Sequence, residues 1–334
     1  MKIIVDGMGG DNAPREIVKG SVEAVMEYGI GIILTGDGQR LEDELKKRNA
    51  PMEYFKIIHT SQVISMEDSP VMAIRKKTDS SMGRGLELVR EDPGSVLISA
   101  GSTGALVAGG LLKVGRIKGI DRPALTSVLP NRKSGTLLID MGANTECKPE
   151  NLAQFAMMGT IYMEKVLGRS HPTVGLLNIG TEETKGNGLY KSAYKLLREM
   201  KNINFAGNVE AREVPAGAVD ILICDGFTGN IVLKYTEGLA LNLFGMLKEE
   251  MMRTAMSKLG ALMLKPGLRK FKKMMDYAEI GGAPLLGING GIIKAHGSSN
   301  ATAIKNAIRQ GRLFSENGVL DSIKSAVTDQ EDMT

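Results

Sequence analysis

The chain has 334 residues, 43% of them hydrophobic, with a mean hydropathy near zero and a formal net charge of +4, the profile of an ordinary soluble globular protein with one large or two modest domains. Two cysteines, Cys147 and Cys224, exclude a disulfide framework, fit a reducing cytosol and are expected to serve packing. With 4% aromatics, no Trp and 41 Gly, close approach of backbone to a ligand matters more here than ring chemistry.

The opening MKIIVDG has only three apolar residues before an acid and a glycine turn, so no signal peptide is expected and the protein is expected to fold in the cytosol. From there the chain repeats one pattern of strand, Gly-rich loop and helix. It appears as KIIVDGMGGDNAP (2–14), then as SVLISAGSTGALVAGG (95–110) and TLLIDMGANTE (136–146), and again as TVGLLNIGTEETKGNG (173–188) and DILICDGFTGNIVLKYTEG (220–238). Further strands are expected at GIILTGD and YFKIIHT. The uncharged run 95–112 approaches membrane-span length, but hydroxyls and glycines break its centre, so strand, loop and helix are expected there. Continuous apolar strands are covered on both faces, which predicts an α/β fold with a mainly parallel sheet.

A different character begins at Lys248. Residues 248–275 carry eight basic and two acidic residues, a net +6 that leaves the remainder of the chain near −2. Apolar residues recur at Met252, Ala255, Leu259, Leu262 and Met263, and again at Leu268, Phe271, Met274, Met275 and Ala278, with KPG between the runs. The spacing predicts an amphipathic helical hairpin over 246–278 within a single unit spanning 1–334, its tip at LMLKPGL. Its basic face is either a solvated or subunit-contacting surface or a contact for an anionic membrane or acidic protein, through Leu262, Leu264, Lys265, Leu268, Arg269, Lys270, Lys272 and Lys273.

In open α/β sheets, ligands sit beyond the carboxyl ends of strands. The loops therefore nominate Asp6, Gly9, Gly10, Ser102, Thr103, Asn144, Asn178, Gly180, Asp225, Thr228 and Asn230 for one crevice. Any single loop is explained by turns and helix caps, but five such loops are not. The SAGSTGA segment is an anion cradle in prospect, with Gly101, Ser102, Thr103 and Gly104 at a helix start and Lys185 and Lys234 as nearby cations. Asp6, Asn144 and Asp225 are expected to orient loops by hydrogen bonding to backbone. His59 and His296 stand at loop edges; His171 is expected on a surface loop.

No GxxxxGK[ST], no GxGxxG after a strand, no GxSxG elbow and no zinc-ligand spacing occurs, so triphosphate hydrolysis, dinucleotide binding, covalent serine chemistry and a metal site are not expected.

Six ordered motifs, DGMGGDNAP, SAGSTGA, LIDMGAN, LLNIGTEETKG, DGFTGNIVLKYTEG and GGAPLLGINGGIIKAHGSSNA, resemble the PlsX family of bacterial acyl-ACP:phosphate acyltransferases from residue 1 to about residue 330. The resemblance implies a three-layer α/β/α fold similar to phosphate acetyltransferases and isopropylmalate dehydrogenases. It also implies transfer of a fatty acyl group from acyl carrier protein to inorganic phosphate, making acyl phosphate for phospholipid synthesis. A homodimer in the cytoplasm, peripheral to the membrane, is implied too, with a downstream membrane acyltransferase as a further partner. Cofactors, metals and nucleic acid are not expected.

One departure is Ser102, where the family usually has Asn. In this frame Ser102, Thr103 and Lys185 are expected to bind phosphate, Asn230 or a GFTGN backbone N–H to serve the oxyanion, and His59 or His296 to assist the leaving sulfur. The alternatives are a CoA-linked phosphate acyltransferase, a decarboxylating dehydrogenase of similar architecture, and a non-catalytic membrane-surface scaffold.

Overall fold

The computed structural model describes residues 2–275 and 281–331. Among the described residues eleven strands form one sheet. They are β1 (Ile3–Asp6), β2 (Ile32–Gly36), β3 (Phe55–His59), β4 (Val96–Ser99), β5 (Ala124–Leu129) and β6 (Thr136–Ile139). After these come β7 (Thr173–Asn178), β8 (Asn204–Glu210), β9 (Ile221–Ile223), β10 (Ala283–Leu286) and β11 (Gly291–Lys294). The first helices are α1 (Arg15–Tyr28), α2 (Gly38–Lys46), α3 (Pro70–Lys76), α4 (Ser81–Glu91), α5 (Thr103–Gly109) and α6 (Pro149–Lys165). The rest are α7 (Gly188–Glu199), α8 (Gly226–Met251), α9 (Ala255–Met275), α10 (Ala301–Glu316) and α11 (Val319–Glu331).

The strand order is β3-β2-β1-β4-β11-β10-β5-β6-β9-β7-β8. Each flank is parallel throughout, as the apolar runs predict. At the centre β10 runs antiparallel to both β11 and β5, and β5 runs antiparallel to β6, so the two flanks point in opposite directions. Crossover helices require strands buried on both faces, and β1, β4, β6 and β9 are buried at every position. Helices α1, α6, α7, α10 and α11 supply one core; α3, α4 and α5 pack in a second cluster. Two helical layers on one sheet give the three-layer α/β/α class.

Four strands are absent from the sequence expectation: β5, β8, β10 and β11. ALTSVL (β5) is interrupted by hydroxyls, NFAGNVE (β8) is a polar sheet-edge strand, and APLL and GIIK (β10 and β11) are short pieces among glycines. The stretch after Cys224 also differs, because GFTGN is not a loop but the first turn of α8. Asp225 caps that helix at once by accepting the Thr228 N–H at 2.9 Å.

The hairpin exists, but its turn lies at 252–254 and not at KPG. Thr254 and Ser257 exchange backbone N–H to hydroxyl bonds of 3.0 Å each, a reciprocal cap that starts α9 there. Pro266 is carried inside α9 on an exposed surface. Leu262, Leu264, Lys265, Leu268 and Arg269 therefore lie along a continuous helix, not at a tip. The side chains of Lys270, Lys272 and Lys273, and residues 276–280, lie outside the described residues.

Glycine 229 shows how closely α8 meets β6. A Cβ there would stand 1.9 Å from the Asp140 carbonyl oxygen and 2.9 Å from Cys224 Sγ, and backbone cannot yield as a flexible side chain would. Gly229→Ala is expected to cost about 3 kcal/mol, the upper end of ordinary overpacking. Urea unfolding followed by circular dichroism measures it; an unchanged midpoint would show that α8 is not seated on β6 as described.

Candidate active site

Two clefts open beside α8. The first, about 620 Å³, lies between α3, α5, the loop after β6 and the first turn of α8; Pro70, Val107, Leu111 and Phe227 are among its walls. The second, about 430 Å³, runs beneath α8 along β5, with Leu129, Leu233, Ala240 and Phe244 on its apolar sides and Lys234, Lys294, His296 and Ser298 on its polar flank. They share three residues, Thr103, Met141 and Asn230, so the two volumes meet at one rim.

Lys294 is the most informative side chain of the second cleft. It ends β11, is 7% exposed, and its Nζ donates only to backbone carbonyls, Ala100 O at 3.5 Å and the closer Ala295 O. No carboxylate forms an ion pair with it among the described residues. Burial pulls its pKa down to about 8, against the weaker attraction of Asp6 and Asp11. A desolvated cation on the flank of a cleft is a candidate anion site.

Around it stand the remaining polar groups. His296 Nδ1 accepts the Ser298 N–H at 3.2 Å, with the Ser298 hydroxyl at 2.8 Å, which leaves Nε2 to carry the proton of the neutral ring. Partial desolvation lowers its pKa, favouring that neutral form. Lys234, one turn along α8 from Asn230, pairs with Glu237 at 2.8 Å. Thr103 begins α5 and Gly104 lines the first cleft.

Ser102 turns inward instead. Its Oγ accepts the Ala105 N–H at 3.4 Å as the helix cap, and the Gly101 N–H is taken by Ser99 Oγ at 3.1 Å. Of the GFTGN backbone donors, Gly226 gives its N–H to Asn144 O, Thr228 to Asp225 Oδ1 and Gly229 to Asp225 O. Asn230 lines both clefts, and Phe227 lines the first.

Buried acids anchor the loops beneath. Asp6 accepts from Ser99 Oγ at 2.7 Å and from the Met8 N–H at 3.3 Å, and burial raises its pKa. Asp225 accepts from the Tyr190 hydroxyl at 2.6 Å and Thr228 Oγ1 at 2.8 Å. Asn144 donates to Pro123 O at 2.6 Å and to Asp140 Oδ2 at 2.9 Å.

Two expected residues are elsewhere. Lys185 lies on the loop after β7, two strands beyond β6, exposed and 3.9 Å from Glu182; it lines neither cleft. In the strand order β7 stands six places from β4, so following a parallel strand does not bring Lys185 to Ser102 and Thr103. His59 ends the edge strand β3, three strands from β4, where its Nδ1 accepts the Gly38 N–H at 3.1 Å. Asn178 and Gly180 also line neither cleft. Cys147 is pushed up to about 11 by burial, so neither it nor the fully buried Cys224 presents a thiolate at neutral pH.

Sequence reasoning missed Lys294. The signal was present in GIIKAHG, where a lone cation ends an apolar strand in the position that Asp6 and Ser99 take on neighbouring strands.

Comparison with known proteins bears on this site. The family model described as "Fatty acid synthesis protein" matches residues 1–322. A phosphate acyltransferase of Alkaliphilus oremlandii is 56% identical over 328 residues, covering 98% of both chains. One from Clostridioides difficile is 54% identical, covering 98% of this chain and 96% of its own. Among solved structures, a phosphotransacetylase from Streptococcus pyogenes shares the fold with a TM-score of 0.63 at 18% identity, covering 95% of this chain and 94% of its own. A 4-hydroxythreonine-4-phosphate dehydrogenase from Klebsiella pneumoniae follows at 0.52 and 12% identity, covering 94% and 99%.

Lys294 also generates a pH signature. Between about 8 and 10.5 the folded protein has released a proton that the unfolded chain retains, so stability rises with pH across that window. Thermal melts in phosphate-free buffer from pH 7 to 10 are expected to show wild type gaining on Lys294→Met as pH rises. Parallel curves would mean that the ammonium is not desolvated.

Proposed function

The chain belongs to the PlsX family of phosphate acyltransferases, and we propose that it moves a fatty acyl group from the thioester of acyl carrier protein to inorganic phosphate. The observation that carries the site assignment is the buried Lys294 on the polar flank of the second cleft, which has no carboxylate partner among the described residues.

Phosphate is its own nucleophile, so the protein need not supply a serine or a thiolate. Phosphate dianion lies against the Lys294 ammonium, with Thr103 and Lys234 beside it. One of its oxygens attacks the thioester carbonyl carbon, and the carbonyl electron pair moves to oxygen, where the Asn230 side-chain amide donates to the oxyanion. On collapse the carbon–sulfur bond breaks and sulfur leaves with the electron pair. The Nε2–H of His296 hydrogen-bonds to the leaving sulfur, which takes up the proton that the phosphate hydroxyl releases. Thioester and hydrogen phosphate dianion thus become acyl phosphate and free thiol, with atoms and charge balanced. Ser102, Asp6, Asn144 and Asp225 hold the loops rather than the substrate.

The α8–α9 hairpin supplies the docking chemistry. Residues 248–275 carry a net +6, and the carrier protein donor is acidic. The same cations beside exposed Met256, Leu259, Leu262 and Met263 suit an anionic membrane, with Phe227, Ile231 and Tyr235 of α8 available to a second copy of the chain. Among the described residues no helix is long and apolar enough to cross a membrane, so attachment is peripheral in this reading. A downstream membrane acyltransferase then receives the acyl phosphate.

Thiol release from acyl carrier protein, with hydroxylamine trapping of acyl phosphate, tests the reaction. Asn230→Ala is expected to lower kcat by about 10² to 10³, the usual loss for one oxyanion donor. Lys294→Met should raise the KM for phosphate as well, whereas Lys185→Ala and His59→Ala retain near wild-type turnover. Full activity of Asn230→Ala and Lys294→Met together would overturn the assignment. Cosedimentation with phosphatidylglycerol vesicles checks the surface: at about 1 kcal/mol per cation, binding is expected at low salt and lost in high salt. Salt-independent binding would rule out the electrostatic contact.

A further inference from the structure

A thioester has two arms, the acyl chain and the carrier arm, and the rim of this site opens into two clefts. We propose that the cleft beneath α8 is the acyl-chain slot and that Phe244 is its end stop, so that α8 acts as the ruler for chain length. This rests on the acyl transfer reading above and specifies its substrate.

The direction of the slot follows from two elements that border it side by side. Along α8 the lining residues step from Asn230 at the rim through Leu233 and Ala240 to Phe244. Along β5 they step from Leu125, whose carbonyl accepts the Met141 N–H at the rim, to Leu129. On α8 the polar lining residues Asn230, Lys234, Thr236 and Glu237 come first and beyond Glu237 the α8 wall is apolar, while Lys294 flanks the slot from β11 at the level of Ser127.

Length is set by the helix. Lys234 to Phe244 is ten residues and Asn230 to Phe244 fourteen, about 15 to 21 Å at the rise of an α-helix. An extended chain advances about 1.2 Å per bond, so the slot holds on the order of 12 to 17 bonds, a long-chain acyl group rather than an acetyl or butyryl group. Phe244 is fixed at the far end because its ring packs on Phe271 of α9, with centroids 5.5 Å apart at 55°. The stop is thereby braced by the second helix of the hairpin. Ala240 lies one turn nearer the rim, where a large side chain would shut off about 6 Å of slot.

The other cleft shares only the three rim residues with the slot, which leaves it to the carrier arm.

Carrier-protein thioesters of 8, 12, 16 and 18 carbons with inorganic phosphate give the test, read as the ratio of kcat/KM between chain lengths within each variant. Ala240→Phe should depress the 16-to-8 ratio on the order of 100-fold, the loss expected when about four buried methylenes are shut out. Phe244→Ala should raise the 18-to-16 ratio severalfold. Ala240→Leu and Phe244→Leu, which keep the apolar helix face, are expected to move the ratios the same way by less, and they serve if the larger changes prevent folding. Phosphate-dependent turnover with an unmoved profile in all four variants overturns the ruler, as does a profile that responds instead to Val107→Phe in the other cleft. No phosphate-dependent release at any length from folded wild type would instead overturn the reaction itself, a failure distinct from that of the ruler.

Discussion

The Asp140 carboxylate holds together the place where the two flanks of the sheet meet. It accepts the backbone N–H of Leu125 at 3.0 Å from β5, those of Gly142, Ala143 and Asn144 at 3.1, 3.0 and 2.8 Å from the loop after β6, and the Asn144 amide at 2.9 Å. Burial pushes its pKa up while these donors pull against that rise, and every partner is a donor, as a carboxylate requires. Its own backbone is tied as closely: the Asp140 N–H donates to Cys224 O, and Asn144 O accepts from Gly226 at the start of α8. One side chain therefore sets β5, the β6 loop and the root of α8 relative to one another. Met141 and Asn230, two of the three rim residues, inherit their positions from it.

From that junction the site is assembled by opposing needs. Three carboxylates, Asp6, Asp140 and Asp225, are buried and spend their charge on loop donors, so they provide rigidity and no chemistry. Lys294 is buried against backbone carbonyls with no carboxylate partner among the described residues, which in the proposed reading leaves its charge for phosphate. A pre-organised cation in a dry wall needs no solvent rearrangement when a dianion arrives, which is the condition under which electrostatic stabilisation is greatest. The absence of a covalent nucleophile is consistent with this economy, because the reacting oxygen enters with the phosphate.

Much of this was legible in the residues, for reasons that can be named. Strands such as IIVD, VLIS and TLLI are apolar at every position because helices cover both faces, and that pattern cannot be mistaken for a solvated strand. Helix caps were not told apart from ligand donors: Ser102, expected to bind phosphate, and Asp225, expected to orient a loop, each cap the helix that follows. What stayed hidden was direction. Nothing local in ALTSVL or APLL states that those strands reverse the sheet, or that β11 enters it beside β4, which sets Lys294 next to Ser99, while β7 stands six places from β4. Loop proximity in an open sheet is a property of strand order, which is long-range, whereas caps and periodicity are short-range. The hairpin turn was misplaced for a related reason: a proline was given more weight than the reciprocal Thr254 and Ser257 cap twelve residues earlier.

Helix α8 joins these threads. Its slot face carries Asn230, Leu233, Ala240 and Phe244, while Phe227, Ile231, Tyr235, Leu239 and Leu243 form a stripe at four-residue spacing on the opposite face, exposed by 44 to 68%. A helix that is apolar all round is stable only when covered all round. The acyl slot covers one side and α9 touches another through Phe244 and Phe271, so the remaining stripe is surface that the described residues leave uncovered. Any partner seated there, whether a second copy or a lipid surface, would bear on the same rod that forms the wall of the slot. Placing the substrate wall and the contact surface on one helix ties the occupancy of the slot to the surroundings of the protein without any additional moving part.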